Sequence, residues 1–411
     1  MQKSIIQYLI ALFLFSGLSA CVNTASKNNP IDESFMSLAY VSMPHLKLHE
    51  VEPEDVKSIL DSYRWEGISD IALINGVYMT GKDGSIITRW NESEWPEVFE
   101  GEDYLGRPIK EQALRNRLCS REVVDEVMYY FKKKGMKLWV SQKAAGWLTG
   151  GSLGVVLEDE KMTKDYAVRL EKFVRQLGFV GVDFDWEFPP NKIQAVGYRR
   201  LIKAVKEAGL KVSVCAIRPP KGMAYGDMCI PRKADENGPA GQYMAYDKII
   251  GEQMVDYINV MQYLGYNPQT GQMDVEVKKA KMGEWENFYP EGFTAKQKVK
   301  FLCGIGYYSY LIPEYAKEGE KGGKNMSFLY ETYGEEALNE KVINGHAVWS
   351  TTDVREIVKY AKKQGWNGVF TWLVTHDFNN DIPVEYSRQN ALAEEVNHIW
   401  NGRKVNENQI Q

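Results

Sequence analysis

The stretch Gly178-Phe179-Val180-Gly181-Val182-Asp183-Phe184-Asp185-Trp186-Glu187-Phe188-Pro189 alternates acidic and apolar side chains. Asp183, Asp185 and Glu187 stand at i, i+2 and i+4. Side chains of a strand alternate between its faces, so the three acids share one face and Val182, Phe184 and Trp186 share the other. Apolar neighbours argue against an exposed edge strand. Three like charges held close and away from water are costly, and a fold with no use for them would not line them up there.

Working outward, short β-branched or aromatic runs recur along the chain. They predict strands at Phe35–Ser42, Ile68–Ile74, Lys137–Ser141, Gly181–Glu187, Lys211–Ile217, Tyr257–Tyr263, Phe301–Tyr307 and Gly368–Leu373. Gly67, Gly135, Gly178, Gly209 and Gly365 precede five of them, where a glycine ends a helix. Between strands, Val56/Ile59/Leu60/Tyr63, Tyr198/Leu201/Ile202/Val205 and Val354/Ile357/Val358/Ala361 follow helical spacing, and Tyr166/Leu170/Phe173/Val174/Leu177 form a similar stripe. Strands alternating with helices imply a parallel sheet. Eight such units predict an α/β fold closed as a (β/α)8 TIM barrel, with loop insertions after strands 2, 6 and 7. No Gly-x-Gly-x-x-Gly or P-loop signature supports an open doubly wound sheet.

In such barrels chemistry gathers at the carboxyl ends of the strands. Glu187 ends its strand and is placed at that rim, with Asp185 just below and Asp183 deeper. The arrangement predicts a general acid with a proton-sharing partner.

The composition fits a globular chain of 411 residues, with 44% hydrophobic and 26% charged residues. It excludes a mainly disordered chain, a collagen and a coiled coil. A net charge of −5 gives no basic field for nucleic acid. The chain opens with Lys3 and an apolar run from Ile5 to Phe15, followed by Leu18-Ser19-Ala20-Cys21. This predicts an export signal over residues 1–20. The four residues resemble a lipobox, which implies lipidation of Cys21. Residues 21–33 read as a flexible tether, 34–400 as the barrel and 401–411 as a polar tail. The absence of Asp at position 22 favours the outer membrane, by resemblance to such lipoproteins. Cys215 and Cys303 lie in apolar runs and read as buried thiols. No Cys/His spacing suggests zinc, and neither a cofactor nor a metal is implied. His376-Asp377 is the polar pair of note among scattered histidines.

Val180 to Glu187 resembles the Asp-Gly-x-Asp-x-Asp-x-Glu signature of glycoside hydrolase family 18, the chitinases and endo-β-N-acetylglucosaminidases. Gly181, Asp183, Asp185 and Glu187 match, and Val180 replaces the first Asp. Met261-Gln262-Tyr263 resembles the family's Met-x-Tyr element, with Leu264 where an Asp often follows. Trp372 resembles the tryptophan that floors the sugar subsite. Gly304-Ile305-Gly306-Tyr307-Tyr308 loosely resembles the strand-seven element, and Ser141 to Gly146 is an altered form of the strand-three element. The resemblance runs from about residue 35 to 395.

It implies a retaining, substrate-assisted glycosidase. Glu187 protonates the glycosidic oxygen, Asp185 holds the 2-acetamido NH, and Tyr263 donates to the acetamido oxygen. Asp183 belongs to the same catalytic set, and Met261 and Trp372 border the sugar. The partner implied is an oligo- or polysaccharide containing N-acetylglucosamine. Trp186 followed by Phe188-Pro189 looks more like the chitinase branch. An endo-β-N-acetylglucosaminidase acting on N-glycans and a glycan-capturing lipoprotein that does not cut are the other readings.

Aromatic side chains pack on the CH faces of sugars. Trp147, Tyr266 and Tyr308 lie at or near predicted strand ends and are candidates for substrate binding. Arg218, at the end of strand five, is a candidate for a hydroxyl or carboxylate. Trp90, Trp95 and Trp285 are placed in long loops as candidates for outer subsites.

Overall fold

Glycines with positive φ punctuate the chain where helices give way to strands. Gly67, Gly135, Gly178, Gly209 and Gly365 have φ between 70° and 84°. Gly178 closes the helix Glu160–Leu177, whose first turn is capped by the Asp159 carboxylate accepting from the Met162 N–H. The strand bearing the acids begins three residues later.

The structure is a computed structural model, and it describes residues 35–94, 117–142, 150–186, 192–216, 246–286, 298–315, 323–335, 340–378 and 380–401. Eight parallel strands close into a barrel: β1 (Met36–Val41), β2 (Asp70–Ile74), β3 (Lys137–Gln142), β4 (Gly181–Phe184), β5 (Lys211–Ala216), β6 (Tyr257–Val260), β7 (Lys300–Gly306) and β8 (Gly368–Trp372). Each pairs with its neighbours in the chain, and β8 closes on β1 with Met36 opposite Gly368.

Alternation along the strands sorts the apolar residues into two cores. Val182 and Phe184 join Val140, Val212, Val214 and Ile258 in the layer between barrel and helices. The stripe Tyr198, Leu201, Ile202 and Val205 is buried in the same layer. The barrel interior is filled instead by Leu38, Tyr40, Trp139, Cys215, Leu302 and Phe370. Gly181 has its own reason: a Cβ there would lie 2.2 Å from the Lys211 carbonyl oxygen on β5.

Two strands end three residues sooner than the sequence predicts. β4 ends at Phe184, where its neighbour β3 also runs out at Gln142. Asp185 keeps one backbone bond to Gln142, at 3.2 Å. β6 ends at Val260, and residues 261–265 carry no strand pairing. After β2 comes a small hairpin, Met79–Thr80 with Ile86–Ile87. After β6 comes Tyr266–Asn267 with Gln272–Met273. After β7, Tyr310–Leu311, His346–Ala347 and Val342–Ile343 form a three-stranded sheet.

Trp285 is a correction to the sequence reading. It sits in the helix Val275–Glu286, fully buried against Phe301 with ring centroids 5.8 Å apart, and so belongs to the core. Trp90 lies against Phe173 on the outer helix layer, with rings nearly parallel at 6.4 Å, and the Arg121 guanidinium covers it at 5.5 Å. Trp90 also lines a cavity with Thr88, Asn91 and Arg169. Trp95 lies outside the described residues.

Candidate active site

Strand register alone builds the first part of the site. Ser141, Asp183 and Ser213 are direct partners across β3, β4 and β5. Their side chains meet inside the barrel. Asp183 Oδ2 accepts from Ser141 Oγ at 2.9 Å, and Oδ1 accepts from Ser213 Oγ at 2.6 Å and from Asn259 Nδ2 at 3.0 Å. Asn259 Nδ2 also reaches Tyr40 Oη at 2.9 Å, and Tyr40 Oη lies 3.3 Å from Cys215 Sγ. Asp183, Asn259 and Tyr40 are buried, and the network runs across the barrel through Asn259 Nδ2, while Asn259 Oδ1 takes no donor among the described residues.

Burial pushes the Asp183 carboxyl up to about 7, and the charge of Asp185 adds to the rise; the donors from Ser213, Ser141 and Tyr40 pull the other way. Burial drives the Tyr40 hydroxyl well above its ordinary range, helped by Asp183. Asp183 therefore takes up a proton far more readily than an ordinary carboxylate, beside Asp185, which is itself 2% exposed.

The sign of the Asp183 shift gives a prediction. A carboxyl whose folded-state pKa is raised stabilises the fold fully at pH below its unfolded value, and that contribution is lost as pH rises through about 7. Asp377, raised to about 6 by burial, acts in the same direction, whereas His376, lowered to about 4 by burial, loses its contribution as pH falls. Those two are common to wild type and Asp183→Asn. Thermal unfolding of the pair across pH should show the wild type losing stability faster through neutrality. Parallel curves would contradict the assignment.

Aromatic side chains crowd the far side of the same mouth. Met261, Tyr263 and Trp372 pack against the barrel-interior cluster. The Tyr263 ring meets Phe370 at 5.7 Å and Tyr308 at 6.0 Å, both edge-on. Tyr308 meets the His376 ring at 5.9 Å, and Trp372 meets Tyr40 at 5.5 Å. Gly304 and Gly306 leave the room this needs: a Cβ on Gly304 would lie 3.0 Å from Tyr263 Cε1, and one on Gly306 would lie 2.6 Å from Tyr308 Cε1. Tyr307 turns away, its hydroxyl 3.2 Å from Gln389 Oε1.

The structure thus brings together Asp183, Asp185, Met261, Tyr263, Tyr308 and Trp372. Tyr266 stands apart from that group, stacked on Tyr310 at 4.0 Å and packed against the outer core. Leu264 also packs against the outer core. Glu187, Trp147, Arg218 and Cys21 lie outside the described residues. His376 accepts the Leu373 N–H at Nδ1, and Asp377 accepts the Gln389 N–H at the start of the helix Arg388–Trp400. Both serve the backbone. Among the described residues no group of three or more His, Cys, Asp or Glu is placed to hold a metal ion.

Sequence reasoning missed Tyr40, Ser213 and Asn259. Their signal was a polar side chain in mid-strand among apolar ones, on the inward register. A cavity of about 280 Å³ was also missed. It opens at the ends of β1, β2 and β3, lined by Ser42, Asn75, Tyr78, Ser141 and Gln142 among others, and so it adjoins the acid through Ser141. Asn75 there is exposed and holds a left-handed backbone, φ 62°, a conformation that clusters at functional sites. Gln142 Oε1 accepts from Tyr78 Oη at 2.7 Å and from Tyr166 Oη, which fixes that wall.

A closed α/β barrel with one buried carboxyl on its fourth strand and another just past its end, beside a group of aromatic side chains, defines a class of acid-bearing barrel proteins. The chain belongs to the glycosyl hydrolases family 18, whose model matches residues 116–377. It is 25% identical over 139 residues to endochitinase 1 of Metarhizium anisopliae, a match covering 33% of this chain and 30% of that one. It is 22% identical over 245 residues to a probable endochitinase of Caenorhabditis elegans, covering 50% and 38%. The matched stretches therefore span well under half of these relatives. In fold it is similar to the crystal structure of a chitinase from Bacteroides thetaiotaomicron, with a TM-score of 0.59 at 15% identity, covering 91% of this chain and 99% of that one.

Proposed function

We propose that the protein is a retaining glycoside hydrolase that cleaves β-1,4 linkages beside N-acetylglucosamine, with the substrate's own acetamido group as nucleophile. The observation that carries this is Asp183, held inside the barrel by Ser141, Ser213 and Asn259, with the buried Asp185 two residues further on and Tyr263 and Trp372 packed against the same barrel interior. Membership of the family supports it.

In this reading Glu187 gives its proton to the glycosidic oxygen as the bond to the anomeric carbon breaks. The acetamido oxygen attacks that carbon and an oxazolinium ion forms. Asp185 accepts the acetamido N–H and offsets the positive charge, while burial raises the Asp183 carboxyl, so that it ionises less readily beside Asp185 than an exposed aspartate would. Tyr263 donates to the acetamido oxygen and so aligns it. Water then attacks the anomeric carbon, Glu187 takes its proton, and the configuration is retained. Trp372 and Tyr308 offer ring faces to the sugar, and the cavity at β1 to β3 takes a neighbouring residue of the chain. The same reading places the enzyme in a bacterial envelope, anchored by lipid on Cys21.

Incubation with chito-oligosaccharides and, separately, with an N-glycosylated protein tests the substrate. Release of short N-acetylglucosamine oligomers from the first is the expected result. Release of N-glycans alone would replace this reading with an endo-β-N-acetylglucosaminidase, and binding without turnover on either would replace it with glycan capture.

A further inference from the structure

Met261 still donates its N–H to the Ala216 carbonyl on β5, at 2.7 Å, and past it the β6 backbone leaves the ladder. Four carbonyls in succession take a donor from outside the strand. The Gln262 carbonyl accepts from Lys278 Nζ, the Tyr263 carbonyl from Trp349 Nε1 at 3.2 Å, the Leu264 carbonyl from Lys281 Nζ at 2.9 Å and the Gly265 carbonyl from the Asp274 N–H at 2.9 Å. Three of these donors belong to the helix Val275–Glu286 or to the residue just before it.

Lys278 differs from the rest. It is fully buried, and its ammonium faces the Cys303 thiol, with no carboxylate among the groups that act on it. Its second bond is to the Gly304 carbonyl on β7, at 2.7 Å. The β6–β7 ladder ends with Cys303 opposite Val260. The ammonium therefore ties the two segments together just past the last paired residues, one residue on from Cys303 and two on from Val260. It also holds both supports of Tyr263: the peptide from which that residue hangs and the glycine on which its ring lies. Burying a lysine head among carbonyls costs free energy, and burial pushes this ammonium below the ordinary lysine range. A methionine or leucine would fill the same space at lower cost if only packing were needed.

We propose that Lys278 is a positioning residue for Tyr263: its bonds to the Gln262 and Gly304 carbonyls set where the tyrosine hydroxyl stands at the barrel mouth. The inference rests on the reading of Tyr263 as the donor to the acetamido oxygen. Lys278 touches no substrate itself and acts through the backbone of residues 262–264.

A double-mutant cycle tests this, with kcat and KM measured on a chromogenic chitobioside for wild type, Lys278→Met, Tyr263→Phe and the double variant. A displaced hydroxyl slows chemistry more than it weakens binding, so Lys278→Met should lower kcat about tenfold or more with KM changed less than about twofold. In the Tyr263→Phe background the same substitution should lower kcat by less than about twofold, because the hydroxyl it positions is gone. Lys278→Gln, which keeps a donor for one carbonyl, should recover part of the loss, and it carries the same cycle if the Met variant does not fold. Equal losses of kcat in both backgrounds would overturn the positioning role and leave the reading of Tyr263 intact. Wild-type kcat in Tyr263→Phe alone would overturn that reading, and this inference with it.

Discussion

Glu187→Gln is expected to lose hydrolysis of chito-oligosaccharides by about 10²–10⁴-fold, the usual worth of a positioned general acid, and to keep the wild-type unfolding midpoint. Glutamine has nearly the same shape as glutamic acid but carries no transferable proton. The loss should appear in kcat, since the proton moves as the bond breaks, while sugar rings still find Trp372 and Tyr308. Steady-state kinetics beside a thermal melt check both halves. A variant with near-normal turnover would remove Glu187 from the mechanism.

The second large effect is expected at Asp185. Asp185→Asn should lower kcat by about 10²–10³-fold, the range seen when one preorganised electrostatic partner of a developing charge is removed. The physical reason is the cation: an oxazolinium ion needs an anion beside it, and an amide supplies only a dipole. The substitution also removes the charge that helps to raise Asp183. In Asp185→Asn the Asp183 carboxyl should therefore titrate at a lower pH than in the wild type, which carbon-13 labelling of the aspartates would detect by NMR. An unchanged Asp183 titration would contradict the electrostatic contact between the two.

The barrel was legible because its rules are local. Period-two strands, helical stripes and glycines such as Gly178 at helix ends each act within about ten residues, and all eight strands lie where those signals put them. The face assignment on β4 followed from alternation, and the structure bears it out for Val182, Asp183 and Phe184. The partners of Asp183 were not legible. Asn259 lies 76 residues away from it and Tyr40 lies 219 residues from Asn259, joined only by closure of the barrel. Trp285 was misplaced for a related reason. The segment Val275–Glu286 mixes lysines and apolar residues without a clean stripe, because one of its buried side chains is the lysine that caps Gln262 and Gly304. A helix whose inner face does polar work does not show the pattern by which helices are found. The ends of β4 and β6 were read long because the sequence stays apolar or alternating past the point where neighbouring strands stop pairing.

The substrate-assisted reading fixes the anomer of the first product. Proton NMR recorded during hydrolysis of chitotetraose, before mutarotation sets in, should show the β-anomer at the new reducing end. The α-anomer as first product would mean direct attack by water, and Asp185 and Tyr263 would then have no acetamido nucleophile to serve.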